Sequence, residues 1–330
     1  MISQPRNPDI SVVIVSFNTC NLLRECLQSV FSQTGPSFEV IVVDNASRDG
    51  SLQMVEREFP SAIAIQAGAN LGFAAANNLA FRKAKGKYVV LLNSDAFFAP
   101  GTLSRALDSM KASPATGLGG GLLVGRDGGW QPSARLFPSL LNDFLSLSGL
   151  AALFPRSRFF GRTDRTWADP RLPADTDWVP GAFSIIPRDV LEQVGYFDEN
   201  FFLYYEEVDL CRRIRLAGYR VSYWPELEVV HIGGESSRQV KRLSLSSSGS
   251  QLTLWRMRSA LLYYRKHHHA MAWLAMTIET GWHRLRLLRN SFRNHEDKQV
   301  RIAESQAVIH LYGKAWKETH GGRLSPARPW

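Results

Sequence analysis

Four acids and one histidine stand at places where a fold can put them to chemical use: Asp44, Asp95, the adjacent pair Glu206 and Glu207, and His231. Asp95 ends the apolar run "KYVVLLNSD", whose unbroken hydrophobic character is that of a strand covered on both faces. A carboxylate delivered to the carboxyl edge of such a sheet lies where open α/β folds bind ligands, although Pro100 and Thr102 also mark a nearby helix start that Asp95 could serve as a cap. Asp44 closes the run "FEVIVVD"; it can accept the ring N–H of a pyrimidine, or act as an Asx-turn residue in "DNAS". Glu206 and Glu207 open a helical segment, where acids favour the first turn and where a carboxylate could also take a proton. Neighbours on a helix diverge by about 100°, so only one of the two can face a given substrate. In "AGANLGF", Asn70 and Gly72 precede a helix whose free N–H groups could meet a phosphate.

Positioning these groups requires alternating strands and helices. "ISVVIVSFN", "FEVIVVDNAS", "AIAIQAG" and "YVVLLNSD" read as strands, separated by helical segments over 22–31, over 50–59 and through "AAANNLAFRKAKG". Strands alternating with helices imply right-handed crossovers and a parallel sheet, so Ser16 to Asn18, Asp44 to Ser47 and Asn93 to Asp95 should share one edge. Residues 117–129 suggest a strand and a tight turn, and 132–173 an irregular insertion or acceptor-side region. A helix from about Tyr204 to Ala217 stops at Gly218, and the final strand ends at His231. In that helix Asp209 and Arg213, at i and i+4, suggest a surface ion pair.

The 330 residues, 45% apolar, can build one large α/β domain or two smaller ones. Cys20, Cys26 and Cys211 match no zinc or disulfide spacing and read as reduced thiols of a cytoplasmic protein. Neither a secretory leader nor an apolar run of about 18 residues is visible, so secretion and membrane spanning are not expected.

The ordered set "VVIVSFN", "VVDNASRDGS", "NLGFAAANN", "LLNSD", "WVPGAF", "FDENFFLYYEEVDLCRR" and "HIGG", spanning 10–237, resembles the inverting glycosyltransferases of family 2, within them the bacterial rhamnosyltransferase group. The resemblance implies a GT-A fold: a Rossmann-like, mostly parallel sheet flanked by helices over residues 1–240, with a nucleotide-sugar half (about 10–125) and an acceptor half (about 126–240). It implies donor binding by Ser16, Asn18, Asp44, Asn70, Gly72, Asn93 and Asp95, with Asn78 a further contact; a turn role remains open for Ser16 and Asn18. Asp95 would hold a divalent cation, Mg²⁺ or Mn²⁺, against the diphosphate, with His231 as a further ligand or simply a hydrogen-bonded strand end. The family's Asp-X-Asp pattern begins here with Asn93, so Asp95 supplies its only charge. Glu207 takes the place of the catalytic base, with Glu206 beside it where the family carries Glu-Asp. Trp178 and Gly181 of "WVPGAF" fall on the acceptor-side loop, Trp178 being equally readable as a core residue.

Beyond the Ser-rich "SLSSSGS", residues 241–330 read as helical and basic. From 255 to 301 ten Lys or Arg stand against three acids, and the apolar stretch Ala270 to Trp282 fits an interfacial helix on an anionic bilayer or a dimerisation helix. Three consecutive histidines, His267 to His269, point only weakly to metal. A nucleic-acid partner is not expected, because no aromatic-interleaved basic strands accompany the charge. The implied activity is transfer of one sugar, rhamnose from dTDP-rhamnose by resemblance, to a saccharide or lipid-diphosphate acceptor in cell-surface polysaccharide synthesis. UDP-hexose and UDP-galactofuranose donors, and a non-catalytic sugar-nucleotide-binding scaffold, are the alternatives.

Overall fold

In the computed structural model, which describes residues 7–233, 247–292 and 298–327, ten strands form one sheet in the order β3-β2-β1-β4-β9-β6-β10-β5, with β7 beside β6 and β8 beside β10. The strands are β1 (Ile10–Ser16), β2 (Phe38–Asp44), β3 (Ile63–Gln66), β4 (Tyr88–Asn93), β5 (Ala96–Phe98), β6 (Thr116–Val124), β7 (Trp130–Gln131), β8 (Ala174–Thr176), β9 (Phe183–Pro187) and β10 (Arg220–His231). Strands β3, β2, β1 and β4 run parallel; β9 is antiparallel to both β4 and β6; and β6 and β10 are parallel. The register pairs Ser16 with Asp44 and Val15 with Asn93, which brings the polar ends of β1, β2 and β4 to one edge.

The strand sequences fit this arrangement because both faces are covered. On β1, Val13 enters the core on one face while Val12 and Ile14 enter the core on the other. Helices α1 (Cys20–Phe31), α2 (Ser51–Glu58) and α4 (Thr102–Ala112) cover the second face. The first is covered by α3 (Phe73–Phe81), α7 (Arg188–Val194), α8 (Glu206–Leu216) and the C-terminal helices α9 (Ser247–His268), α10 (Met271–Ser291) and α11 (Lys298–Glu318). Each fully buried Val, Leu or Ile contributes roughly 1.5–3 kcal/mol. The glycines of β6 answer to packing: a Cβ on Gly119 would stand 2.0 Å from the Trp224 ring.

Three sequence expectations are corrected. Residues 132–173 hold two short helices, α5 (Leu140–Leu147) and α6 (Leu150–Leu153), too short for a clear period; α5 starts at Ser139, whose hydroxyl accepts from Asn142 N at 3.2 Å. The stretch "SLSSSGS" is not a linker throughout, since α9 begins at Ser247; its earlier residues lie outside the described ones. Asp209 does pair with Arg213 at 2.8 Å, but it is fully buried rather than on the surface. His267 at 2.7 Å and Lys266 at 2.7 Å join it from α9, so the histidine run docks the C-terminal helix onto α8. Burial pushes the Asp209 carboxyl up, but His267, Arg213 and Lys266 together override this and hold it at about 2.

Candidate active site

The acids at the start of α8 are presented by a strained loop. Tyr204 and Tyr205 have φ of +69° and +70°, left-handed backbone that costs bulky residues about 1–3 kcal/mol each. Packing from α9 holds them there: the Tyr205 ring lies 5.4 Å from Tyr263, Phe202 stacks on Trp255 at 4.4 Å, and the Ser259 hydroxyl donates to Leu203 O at 2.8 Å. Glu206 is buried and Glu207 half-buried, and the Oε2 atom of each has no hydrogen-bond partner among the described residues. Burial pushes both carboxyls up, and the neighbouring charge of Glu207 drives Glu206 well above the carboxylate range. For Glu207 the rise is opposed by backbone amides and by the charge of Arg135. The upward push is thus the stronger on Glu206, while backbone amides and Arg135 counter it at Glu207, which favours Glu207 as the acid to accept a proton.

Gly181 lies directly against this acid. A Cβ built on it would be 3.8 Å from the Glu207 Cβ and 3.5 Å from the Phe73 ring. The next residue, Ala182, accepts a hydrogen bond through its carbonyl from Asn93 N at 3.0 Å. The loop carrying Trp178 and Gly181 thus links Glu207 to the end of β4, two residues before Asp95.

Asp95 turns the chain from β4 into β5 and is 6% exposed. Its carbonyl accepts from Ile232 N at 3.0 Å, and β5 pairs Ala96 with His231, so the last strand delivers the imidazole to the carboxylate: Nε2 stands 3.6 Å from Oδ1. Gln131 clamps that ring. Its amide nitrogen donates to His231 O at 2.7 Å, leaving its oxygen to accept from Nδ1–H at 2.8 Å, which turns the Nε2 lone pair toward Asp95. Burial lowers the His231 pKa against the pull of Asp95, keeping the ring neutral. One carboxylate and one neutral imidazole suit Mn²⁺ or Mg²⁺, which take few protein ligands when substrate phosphates complete the shell. Among the described residues no group of three or more His, Cys, Asp or Glu gathers.

At the β1 and β2 ends, Asp44 Oδ2 accepts from Ser47 N at 3.1 Å, the Asx-turn role, while Oδ1 is buried with no partner among the described residues. Ser16 lies in a buried hydroxyl chain to Thr19 at 2.9 Å and on to Ser94 at 2.9 Å. Asn18, at φ +54°, accepts from Arg48 N at 2.8 Å. Ser16 ends β1 and Asn18 lies in the turn that follows, each bonded within the chain. Asn70 accepts from Gly72 N at 3.0 Å and from the Asn45 amide at 3.0 Å, and Asn45 in turn accepts from Leu71 N at 2.8 Å. Gly72 needs to be glycine, since at φ +82° and ψ 177° a Cβ would come 2.3 Å from Phe202 O. Phe73 N donates to that same carbonyl at 2.8 Å, tying this loop to the one that presents the acids. Asn78 lies apart: its buried side chain bonds Phe197 O and N at 2.9 and 3.1 Å.

Trp178 is in the core, 8% exposed, with Nε1 donating to Leu136 O at 2.9 Å and the Arg135 guanidinium 4.5 Å from its ring. Sequence reasoning passed over Arg135, Gln131 and Asn45. Of these only Asn45, adjacent to Asp44 in "DNAS", carried a local signal.

Residues 11–195 match the family described as glycosyl transferase family 2. The chain is 30% identical over 233 residues to N-acetylglucosaminyl-diphospho-decaprenol L-rhamnosyltransferase of Mycobacterium tuberculosis, covering 67% of this chain and 75% of that one. Over 269 residues it is 24% identical to rhamnosyltransferase WbbL of Escherichia coli, covering 77% and 92%. Among solved structures it is similar to a mannosyltransferase of Pyrobaculum calidifontis in complex with GDP-Man and Mn²⁺, with a TM-score of 0.56 and 18% identity over 96% of this chain and 85% of that one. Fold, matched residues and relatives agree: this chain is a member of glycosyltransferase family 2 with a GT-A fold.

Proposed function

We propose that the chain is an inverting rhamnosyltransferase that moves one rhamnosyl unit from dTDP-rhamnose to a lipid-linked saccharide. Glu207 takes the proton from the acceptor hydroxyl as that oxygen attacks the anomeric carbon. The bond to the diphosphate breaks on the opposite face, its electron pair leaves with the phosphate oxygen, and the configuration inverts. Asp95 and His231 would hold a divalent cation, whose chemistry is to neutralise charge on the departing diphosphate. Asp44 Oδ1, still without a partner, is the acceptor on offer to a base N–H, and the Asn70–Gly72 turn lies toward the phosphates. Residues 10–125, joined by His231, thereby serve the donor, and the rest of 126–240 the acceptor.

One observation carries this assignment: Glu207, Gly181, Asn93 and Asp95 follow one another along a single sheet edge. The rhamnose donor draws its support from the two relatives named as rhamnosyltransferases, and the lipid-linked acceptor from the decaprenol in one of those names. Contact with a bilayer is supported by α10, where Met271, Trp273, Leu274, Leu285 and Leu288, with Phe292 just beyond its end, are exposed near Arg284, Arg286 and Arg289, while Ala272, Ala275 and Met276 pack inward. No described helix is long and apolar enough to cross a membrane. A melting panel with dTDP, UDP and GDP, each with and without Mn²⁺, tests the donor. Stabilisation by dTDP with Mn²⁺ is expected; a response to UDP or GDP alone would replace rhamnose with another donor class.

A further inference from the structure

A cavity of about 290 Å³ lies behind the acid-bearing loop, between α5 and the three C-terminal helices. Its polar lining includes Asp143, Tyr205, Arg256, Tyr264, Glu279 and Tyr312. We propose that this cavity is a subsite for an uncharged pyranose ring of the acceptor, built by the C-terminal helices against the residue that precedes the two acids. Its assignment to the acceptor rests on the transferase reading above.

The chemistry of the walls selects the ligand. Arg256, on α9, stands in the wall of the cavity, and its side chain is 49% exposed. The carboxylate opposite, Glu279, is 3.6 Å away, beyond hydrogen-bond length, so the planar fork of N–H donors remains available. Each carboxylate already holds one tyrosine: Tyr264 donates to Asp143 Oδ2 at 2.5 Å and Tyr312 donates to Glu279 Oε2 at 2.7 Å. The second oxygen of each is left to accept from a ligand hydroxyl. Donors and acceptors thus line a space walled elsewhere by Leu140, Ala260 and Ile278, the mixture that fits a ring with hydroxyls on its edge and C–H groups on its faces. Two carboxylates against one guanidinium disfavour a phosphate or carboxylate ligand. The volume lies at the small end of ligand sites, about 300–1,000 Å³, which suits a single ring.

The location gives the cavity its purpose. Tyr205 lines it and is followed directly in the chain by Glu206 and Glu207, so the cavity backs the loop that carries the base.

The test uses the full chain without nucleotide and measures saturation transfer to methyl glucopyranoside, methyl galactopyranoside and N-acetylglucosamine, with glucose 6-phosphate as the anionic control. At least one neutral pyranoside should receive saturation at millimolar concentration, and the phosphate should not. Ala260→Phe, which fills the cavity, and Arg256→Gln, which keeps its size, should each weaken binding at least tenfold. Binding that survives both cavity variants, preference for the phosphate, or no binding of any neutral pyranoside would overturn the proposal. Should Ala260→Phe fail to fold, Arg256→Gln decides alone. This readout is separate from the nucleotide melting panel, in which failure of the donor assignment would be seen.

Discussion

The two ends of the candidate site are held in different ways. At the donor end, Asp95 and His231 sit on paired strands, with the imidazole clamped by Gln131 and the turns of β1 and β2 stitched by short-range bonds such as Asp44 to Ser47. At the acid end, Glu206 and Glu207 follow two left-handed tyrosines whose conformation depends on Trp255, Ser259 and Tyr263, roughly fifty residues further along the chain. A ladder of strands positions the group that meets the diphosphate; packing by a distant helix positions the group that moves the proton. The donor end should therefore tolerate damage to the C-terminal helices, and the acid end should not.

The harshest single change at the boundary is Gly72→Ala. Its Cβ would clash with the Phe202 carbonyl in a backbone region reserved for glycine, for a combined cost of roughly 2–6 kcal/mol. Because this loop touches both ends, thermal unfolding and nucleotide response should both suffer; a stable variant with normal nucleotide response would break the link between them. Trp255→Ala removes the ring stacked on Phe202 and should cost about 3–5 kcal/mol, the range for buried aromatics. Below its melting temperature, this variant should keep nucleotide binding and lose transfer. Equal loss of the two would show that α9 supports the whole site.

A milder probe is His267→Ala, which removes one partner of the buried Asp209. A hydrogen bond to a charged group contributes about 1.5–3 kcal/mol. The pH dependence has a definite sign. Asp209 titrates at about 2 when folded, below its unfolded value, so its contribution is present above the unfolded pKa of about 3.9 and is lost as pH falls through 2. The stability gap between the parent and Asp209→Asn, measured by denaturant titration, should be full at pH 7 and shrink below about pH 4; a gap that grows on acidification would contradict this.

The smallest expected effect is on the pH profile. Glu207 must be ionised to act as base, so transfer rises with pH through its elevated pKa. Arg135→Met removes the cation that opposes this elevation. The acid limb of kcat/KM should move to higher pH with nucleotide binding intact, and an unmoved limb would remove Arg135 from the account of the base.

These differences follow the line between what the sequence made legible and what it hid. The strand ends could be placed because long apolar runs stop at Ser16, Asp44 and Asn93, and a run buried on both faces has few other interpretations. The helix opening at Glu206 and closing near Gly218 was equally visible. Side-chain commitments were hidden: nothing near Ser16 indicates that its hydroxyl faces Thr19 and Ser94, and nothing near Trp178 announces Leu136 and Arg135 as partners. Gln131 and His231 are one hundred residues apart, joined only when β7 and β10 flank β6. The irregular 132–173 stretch concealed Arg135 because a single bridge residue, paired with Trp178 some forty positions on, carries no readable period. The dependence of the acid loop on α9 is a tertiary fact with no local trace.

The most direct test of the central claim pairs two variants in two assays: the melting shift given by nucleotide with Mn²⁺, and transfer from the nucleotide sugar. Asp95→Ala should lose the metal-dependent shift and transfer together. Glu207→Gln should keep the full shift while transfer falls by about 10²–10⁴-fold, the usual contribution of a general base. A Glu207→Gln protein that transfers at the parent rate, or an Asp95→Ala protein with an undiminished Mn²⁺-dependent shift, would contradict the division of labour along this sheet edge.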